Sequence, residues 1–428
     1  MVSDAEWRDV LLQELAATTR NALVGGPFGS DLVSSDYSPT GVPVIRGENL
    51  SLGRWVAGDF VFVPTSKAAK LSANTAGPLD IVFTQRGANH YRQVAVVPAD
   101  IEGRFVISQS QMKLTVDRRT VDPMFVYYVF RSPIQQEYLQ RNAIQTGVPH
   151  TNLSILRRVP LRIPPLPIQR AIAHILGTLD DKIEVNRRMN EAMEEMARAL
   201  FKSWFVDFDP VRAKAEGRDP VLPKHVADLF PDSFEDSELG EIPRGWHIGR
   251  FGDVVEQLRD QENPLSSPEE LFQHFSIPAF DEKQCSKPEF GASIMSEKSR
   301  VPIGAILLSK LNPDIERVWM VDVRPQERAV CSTEFLVLRA LSPFTRSYVY
   351  CLTRSSLFRH QIESLVTGTS KSHQRAQVES ILNLAVVVPP ASIVTEFDHS
   401  ADRLLTRTLV CLSARIPNSR RSARRAAT

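Results

Sequence analysis

The chain has 428 residues, of which 43% are hydrophobic and 24% charged, and its formal net charge is +1. This balance is typical of a folded globular protein and excludes disorder along the whole chain. The length exceeds what one ordinary core accommodates and indicates two or three domains.

No apolar run approaches the ~18 residues that a membrane helix needs, and the first ten residues do not follow the pattern of a secretion signal. We therefore expect a cytoplasmic protein with no membrane contact. The four cysteines form no CxxC pair, which disfavours a disulfide framework or a zinc site. They all lie in the second half, at Cys285, Cys331, Cys351 and Cys411.

An internal repeat organises the sequence. Residues 79–86 align with residues 303–310 at an offset of 224, and the same offset relates Leu114 to Leu338. A collinear series of matches with a slowly drifting offset predicts two copies of one domain. The other matches are Trp7 with Trp246, Tyr127 with Tyr350, Thr146-Gly147 with Thr367-Gly368, and Pro164-Pro165 with Pro389-Pro390.

Each copy follows the same plan of short elements. A Trp-led opening precedes strand-like apolar runs bounded by Gly and Pro, and a closing strand ends at the diproline. Between them, residues 125–138 and 348–362 are predicted as one helix in each copy. This order of elements indicates a mixed α+β domain.

A long helix is predicted between the copies. From Ile168 to Leu200, apolar residues recur at two heptad positions, and the pattern predicts a helix of about 37 residues, spanning about 55 Å and ending near Phe205. Such a seam requires a partner helix, and a buried Asn186 would set its register. The two positions are occupied by Ile168, Ile175, Met189 and Met196, and by Ile172, Leu179, Met193 and Leu200.

The second copy is followed by a similar seam that keeps its apolar register for about 20 residues before an Arg-rich tail. The predicted fold is therefore α+β, with two repeated domains of mixed strands and helices. Long antiparallel coiled-coil-like helices separate the domains and give the molecule pseudo-twofold symmetry. The expected segments are a first domain (1–163), a central helix (164–208), an acidic linker (209–240), a second domain (241–389), a short C-terminal helix (390–412) and a basic disordered tail (413–428).

Motifs for catalysis are not evident in the sequence. The glycine-rich segment 25–30 lacks the lysine of a phosphate-binding loop and is followed by polar residues, so a tight loop is the favoured interpretation. No HExxH or GxSxG motif occurs, and His and Cys residues do not fall at metal-ligand spacing. We expect no catalytic residue, no metal site and no cofactor on this chain.

Four segments together carry a family resemblance over nearly the whole chain. The sequence resembles the specificity (S) subunits of type I restriction–modification systems, and the second segment is the most specific of the four. The segments are Gly26 to Leu32, Pro164 to Val211, Ser237 to Val254, and Phe275 to Glu282 with Ser309 to Trp319. The family usually carries a second conserved helix comparable to the first, whereas here it stops early.

The resemblance implies a non-catalytic subunit that binds double-stranded DNA. Each recognition domain would read one half of a bipartite, asymmetric site, and the helices would set the gap between the halves. Two methyltransferase (M) subunits would dock on the chain and methylate adenine with S-adenosylmethionine. Restriction (R) subunits would add cleavage driven by ATP with Mg²⁺, so these cofactors are expected on the partners.

Base-reading residues are expected on loops, because Arg, Lys, Asn and Gln present the donors and acceptors that base edges require. The loop after the shared strand and the loop after the Thr-Gly pair are the candidates in each copy. In the first copy these are Arg86, Asn89, His90, Tyr91, Arg92, His150 and Asn152. In the second copy they are Lys310, Asn312, Lys371, His373, Gln374 and Arg375.

Three other functions stay open from the sequence. The chain could be a DNA-modifying enzyme in its own right, although the missing motifs argue against it. It could be a decayed specificity subunit, since the second helix is shortened. It could also be a helical scaffold that joins two protein-binding domains, which the near-zero net charge permits.

Overall fold

A computed structural model describes residues 7–50, 53–86, 93–366 and 374–413. The chain divides into two compact units, residues 1–183 and 184–428. The predicted basic tail lies outside the described residues, apart from Ser413. Within the described ranges, no helix is both long and apolar enough to cross a membrane.

The first unit contains two four-stranded sheets and a two-stranded ribbon. The sheet orders are β2-β9-β6-β7 and β4-β3-β8-β5, and β1 pairs with β10. The strands are β1 (Arg8–Leu11), β2 (Leu23–Gly25), β3 (Val42–Ile45), β4 (Val61–Val63), β5 (Thr75–Ala76), β6 (Ile81–Thr84), β7 (Val94–Val96), β8 (Phe105–Ile107), β9 (Gln111–Leu114) and β10 (Pro160–Ile163). The helices are α1 (Thr65–Lys70), α2 (Pro123–Arg131), α3 (Pro133–Asn142) and α4 (Leu153–Arg157), and α5 (Leu166–Phe205) begins in this unit.

The second unit has a four-stranded sheet of order β14-β22-β19-β20, a five-stranded sheet of order β15-β18-β21-β16-β17, and the ribbons β11-β12 and β13-β23. Its strands are β11 (Phe234–Ser237), β12 (Gly240–Pro243), β13 (His247–Arg250), β14 (Val255–Leu258), β15 (Gln261–Glu262), β16 (Leu271–Phe275), β17 (Lys287–Phe290), β18 (Lys298–Arg300), β19 (Ile306–Ser309), β20 (Val318–Met320), β21 (Arg328–Cys331), β22 (Phe335–Ala340) and β23 (Ala385–Val388). Its helices are α6 (Asp209–Ala215), α7 (Lys224–Ala227), α8 (Phe251–Val254), α9 (Ile277–Lys283), α10 (Arg346–Thr353), α11 (Ser356–Ser364), α12 (Val378–Leu382) and α13 (Ala391–Ser413).

The repeat is visible in the pairing of strands, and the mixed α+β class is confirmed. The strand that follows the opening tryptophan pairs antiparallel with the strand before the diproline in both units: Arg8 faces Ile163, and His247 faces Val388. The helix caps repeat too, since the side chain of Asp122 accepts a hydrogen bond at the start of α2 and Thr345 does so at the start of α10.

The sequence alignment of the central strand was wrong by one residue. In the antiparallel pairs, Ile81 faces Leu114, and Ile306 faces Leu338. The repeat offset is therefore 225 residues between β6 and β19, and 224 residues between β9 and β22. All four residues of β6 and of β19 are buried, so the run lacks the polar alternation that would have shown the register.

The single helix predicted in each copy is in fact two. In the first unit, Ser132 is extended and caps α3, because the following Pro133 has no N–H and disfavours helical geometry before it. In the second unit, Ser355 is extended and caps α11 in the same way. The chain turns at both serines, and this turn was not evident in the apolar pattern.

Helix α5 is 40 residues long, close to the predicted helix. A tyrosine holds it in each unit: Tyr128 of α2 donates to Asp180 Oδ2 at 2.8 Å, and Tyr350 of α10 donates to Glu194 Oε1 at 3.1 Å. Burial raises the pKa of both phenols, so each remains a neutral donor.

The predicted seam of α5 is only partly buried. Ile175 is 61% exposed, Leu179 52% and Met196 60%, whereas Met193 is buried. Asn186 is exposed, and Asn190 is the buried asparagine. Helix α13 has 23 residues, against 40 in α5, so a matching helix of equal length is not present in the described chain. A heptad pattern identifies an apolar stripe but does not identify what covers it.

The segment 209–240, predicted as an acidic linker, is folded onto the second unit. It contains α6, α7 and β11, and its apolar residues Val211, Val226 and Phe230 are buried in the core of that unit. The linker was predicted from the local net charge. Net charge reflects the solvent-exposed acidic side chains and does not show which apolar residues of the segment are buried.

The buried thiols provide a test of the second unit. Burial raises the pKa of Cys331 and of Cys351 to about 12, whereas Cys285 is only partly buried. Because the thiolate is the reactive form, we expect iodoacetamide at pH 8 to modify Cys285 much faster than the other two. Peptide mass spectrometry would measure this, with denaturant as the control in which all of them react. Equal rates in the native protein would contradict the packing described.

Candidate nucleic-acid interface

Four loops of the first unit lie at one end of the sheet β2-β9-β6-β7. Because neighbouring strands in this sheet are antiparallel, β2 and β6 end where β9 and β7 begin. The loops leaving this end carry the glycine-rich segment, residues 85–86 and residues 108–110. The loop before α4 joins them through hydrogen bonds. We call residues 25–32, 85–86, 108–111 and 144–152 the first loop cluster.

Backbone hydrogen bonds connect the loops of this cluster. Gly26 N donates to Gln111 O at 2.8 Å, and Gln85 N donates to Ser110 O at 2.6 Å. Thr151 N donates to Gln85 O at 2.9 Å. The loops therefore form one connected surface rather than independent segments, and a connected surface can hold side chains at fixed spacing.

The second unit builds the corresponding surface. Lys310 N donates to Glu334 O at 3.0 Å, and Ala376 N donates to Lys310 O at 3.0 Å. These bonds correspond to the two bonds of Gln85 at offsets of 224 and 225. We call residues 310–317, 332–334 and 374–376 the second loop cluster. The two units thus place equivalent loops together by the same backbone hydrogen bonds.

The structure brings Arg86 and His150 together as an antiparallel bridge pair. Arg86 is exposed, and the ring nitrogen Nδ1 of His150 lies 2.9 Å from Val148 O. Asn152 has a structural role, since its side chain accepts from Ile155 N at 2.8 Å and caps α4. The other predicted residues of the first copy lie outside the described residues: Asn89, His90, Tyr91 and Arg92.

In the second copy, Lys310 and Arg375 belong to the same cluster, and Leu311 is the bridge partner of Arg375. The shift of register means that Lys310 corresponds to Gln85, and Leu311 to Arg86. Asn312 adopts a left-handed backbone with φ of 48°, and its Oδ1 accepts from Gln374 N at 3.2 Å. Lys371 and His373 lie outside the described residues.

Arg375 is held by a carboxylate. Its guanidinium donates to both oxygens of Glu334, at 3.1 and 2.7 Å, and these hydrogen bonds raise the pKa of Arg375. The pair neutralises the charge of Arg375, and over the whole second loop cluster three basic residues are balanced by three acidic ones. Lys310 itself is half-buried.

Sequence reasoning missed the residues that position the second cluster. Arg317 is buried and donates to both carboxylate oxygens of Asp281, at 2.7 and 2.9 Å. Asp281 lies on α9 and Arg317 precedes β20. This ion pair therefore joins the segment 275–282 to the segment 309–319. The only sign of this ion pair in the sequence was the presence of one acidic and one basic residue in two segments that belong to the same family resemblance.

Polar atoms without a partner lie beneath the first cluster. They include Thr84 Oγ1 and Gln111 Nε2, on directly paired residues of β6 and β9, and Arg46 Nε after β3. Buried polar groups are normally satisfied, and exceptions concentrate at functional sites or ordered waters. In the described ranges, no group of three or more His, Cys, Asp or Glu residues could hold a metal ion.

The fold and the two loop clusters define a protein built from two copies of one loop-bearing α+β domain. Residues 74–195 match the family described as the type I restriction modification DNA specificity domain. The resemblance stated from the sequence is therefore confirmed, and the chain is related to the specificity subunits of type I restriction–modification systems.

Two curated relatives and one solved structure illustrate this relationship. The MjaIX specificity subunit of Methanocaldococcus jannaschii is 25% identical over 64% of this chain and 60% of its own length. The HindI specificity subunit of Haemophilus influenzae is 37% identical over 35% of this chain and 33% of its own length. The chain thus covers less than two thirds of either relative. The S subunit of M. genitalium shares the fold, with 14% identity, a TM-score of 0.50, and coverage of 97% of this chain and 95% of that chain.

Two adjacent glycines test the architecture of the first cluster. A Cβ at Gly26 would lie 2.0 Å from Ser108 O, whereas a Cβ at Gly25 meets nothing within 4 Å. We expect Gly26→Ala to destabilise the first unit by about 1–3 kcal/mol, because the backbone of one loop must move, and Gly25→Ala to change it little. Calorimetric unfolding of both variants measures this. Equal midpoints would show that the two loops do not approach as described.

Proposed function

We propose that this chain is the non-catalytic DNA-recognition subunit of a type I restriction–modification complex. Each loop cluster reads one half of a bipartite, asymmetric site. The observation that carries this proposal is the recurrence of the same hydrogen-bonded loop arrangement in both units, on a chain related to specificity subunits.

The chemistry of the clusters supports DNA as the ligand. Arg86 offers a bidentate donor for guanine or a contact to phosphate, and Lys310 offers a compact positive charge. Gln374 and His150 add further hydrogen-bonding groups. Asn312 and Asn152 already bond backbone N–H groups with their side-chain oxygens, so only their amide nitrogens remain for a base edge.

Helix α5 acts in this proposal as the spacer that sets the gap between half-sites. At ~1.5 Å per residue its 40 residues span about 60 Å. Half-sites one helical turn apart lie about 34 Å from each other, so the helix is long enough for that separation. The exposed side chains of Ile175, Leu179 and Met196 favour a protein partner on this helix.

The partners in this proposal are two M subunits and the R subunits. They supply S-adenosylmethionine for adenine methylation and ATP with Mg²⁺ for cleavage. This chain supplies no reacting group and carries no cofactor. The exposed apolar residues of α5 would also suit the scaffold alternative, in which the chain joins protein-binding domains and does not read DNA.

Mapping of methylated adenines tests the proposed function directly. Cells that co-express this chain with its cognate M subunit are compared with cells that express the M subunit alone. We expect a new split motif with a constant gap, present only when both proteins are expressed. If both proteins are soluble and associated but no new methylation arises, the chain is a decayed subunit or a scaffold.

Lysine substitutions test the loop clusters as the DNA-binding surface. Because each phosphate contact releases counterions, Lys310→Ala and Lys371→Ala should weaken binding and lower the salt slope by roughly 1. The measurement is fluorescence anisotropy on a duplex with the mapped motif, across a salt series. Lys224→Ala is the matched control, since Lys224 is an exposed lysine of α7, outside the second cluster. Unchanged affinity and slope in both Lys310→Ala and Lys371→Ala would contradict the assignment.

A further inference from the structure

Phe28 is the most exposed large hydrophobic residue in the described part of the chain, with 91% of its surface accessible. It lies in the glycine-rich loop of the first loop cluster. Removing an aromatic ring from water is favourable, so this ring has a strong tendency to be covered by a ligand. A single exposed apolar side chain is common on proteins, so exposure by itself does not indicate a ligand site.

The loop holds Phe28 outward by several contacts. Gly26 approaches the Ser108 carbonyl so closely that no larger residue fits there. The Gln109 side-chain amide donates to Leu32 O at 2.7 Å and also to Gly29 O. Both ends of the segment around Phe28 are therefore fastened to the neighbouring loop 108–111, and the ring is presented from a supported backbone.

Phe28 and Arg86 flank the same loop. Residues 108–111 bond the glycine-rich loop through Gln111 O and the loop of Arg86 through Ser110 O. The cation and the aromatic ring therefore belong to one surface. Pro27 and Leu32 are buried, and Gly29, Ser30 and Asp31 are exposed, so Phe28 is the one aromatic ring of this segment and the exposed residues that follow it in the chain are polar. Val33 and Val148, at 41% and 58% exposure, are the other accessible apolar residues next to this segment or in the first loop cluster.

We propose that Phe28 stacks against a base at a disturbed base step, in the half-site contacted by the first unit. This inference rests on the proposed function. A single exposed ring followed by polar residues fits insertion into a base stack, where aromatic and apolar wedges unstack a step and bend the duplex. A protein partner would instead require a contiguous apolar patch around the ring.

The second unit lacks an equivalent residue. Its strand β14 is followed by Arg259, Asp260 and Gln261, and the last of these begins β15. Loss of the ring should therefore affect one half-site and leave recognition of the other unchanged.

The test uses the full chain in complex with its M subunit and a duplex that carries the mapped motif. 2-Aminopurine replaces single bases at positions other than the methylated adenines, which the methyltransferase itself extrudes. We compare Phe28→Ala and Phe28→Trp with Ile134→Ala. Ile134 is 77% exposed and lies at the N-terminal end of α3, away from the first loop cluster.

With the wild-type chain, we expect 2-aminopurine fluorescence to rise on binding at one step of one half-site. Phe28→Ala should abolish that rise and weaken binding roughly tenfold, with an unchanged salt slope because no charge is lost. Phe28→Trp should keep most of the affinity, and Ile134→Ala should behave as wild type.

Two results would overturn the assignment of Phe28. One is an affinity of Phe28→Ala equal to that of Ile134→Ala. The other is weaker association of Phe28→Ala with the M subunit in the absence of DNA, which would make the ring a protein contact. A wild-type chain that directs no methylation would instead overturn the proposed function, so the two failures are distinguishable.

Discussion

The register of one antiparallel strand pair is the constraint on which the rest of the structure depends. In each unit the central strand, β6 or β19, pairs antiparallel with its neighbour in the sheet, β9 or β22. All residues of both central strands are buried, so a slip by one residue would turn every side chain toward the opposite core, where it would meet a different set of neighbours. That register determines where the strand ends and which residue begins the loop. The positions of Arg86 and Lys310 follow from it.

The long helix depends on a second, polar constraint. In each unit a tyrosine donates to a carboxylate of α5: the half-buried Tyr128 to Asp180, and the buried Tyr350 to Glu194. A hydrogen bond to a charged acceptor in a partly buried place is stronger and more directional than apolar contact alone. These bonds orient the helix on each unit, and the apolar residues left exposed on it are then available to a partner. In each unit the loop cluster and the long helix are thus attached by different chemistry.

The candidate site was predictable in outline, because strand ends and Thr-Gly turns are local features of sequence. The sequence predicts that Arg86 and His150 lie on loops, whereas the bridge between the two residues depends on hydrogen bonds between distant segments. The pairing of Arg375 with Glu334 could not be read from sequence, since the two residues are 41 positions apart. Nor could the exposure of Phe28, which depends on the close approach of Gly26 to Ser108.

The sequence by itself determined the repeat, the α+β class, the long helix and the family resemblance. Each of these follows from apolar periodicity or from motifs in the same order along the chain, and both can be recognised without knowing which distant segments are in contact. Only the tertiary structure decided the one-residue register of the central strand, the turn that divides each predicted helix, and the folding of residues 209–240 onto the second unit. The physical reason is that burial, pairing and ion-pair formation depend on which segments meet in space. Continuous apolar runs and local net charge do not show which segments meet.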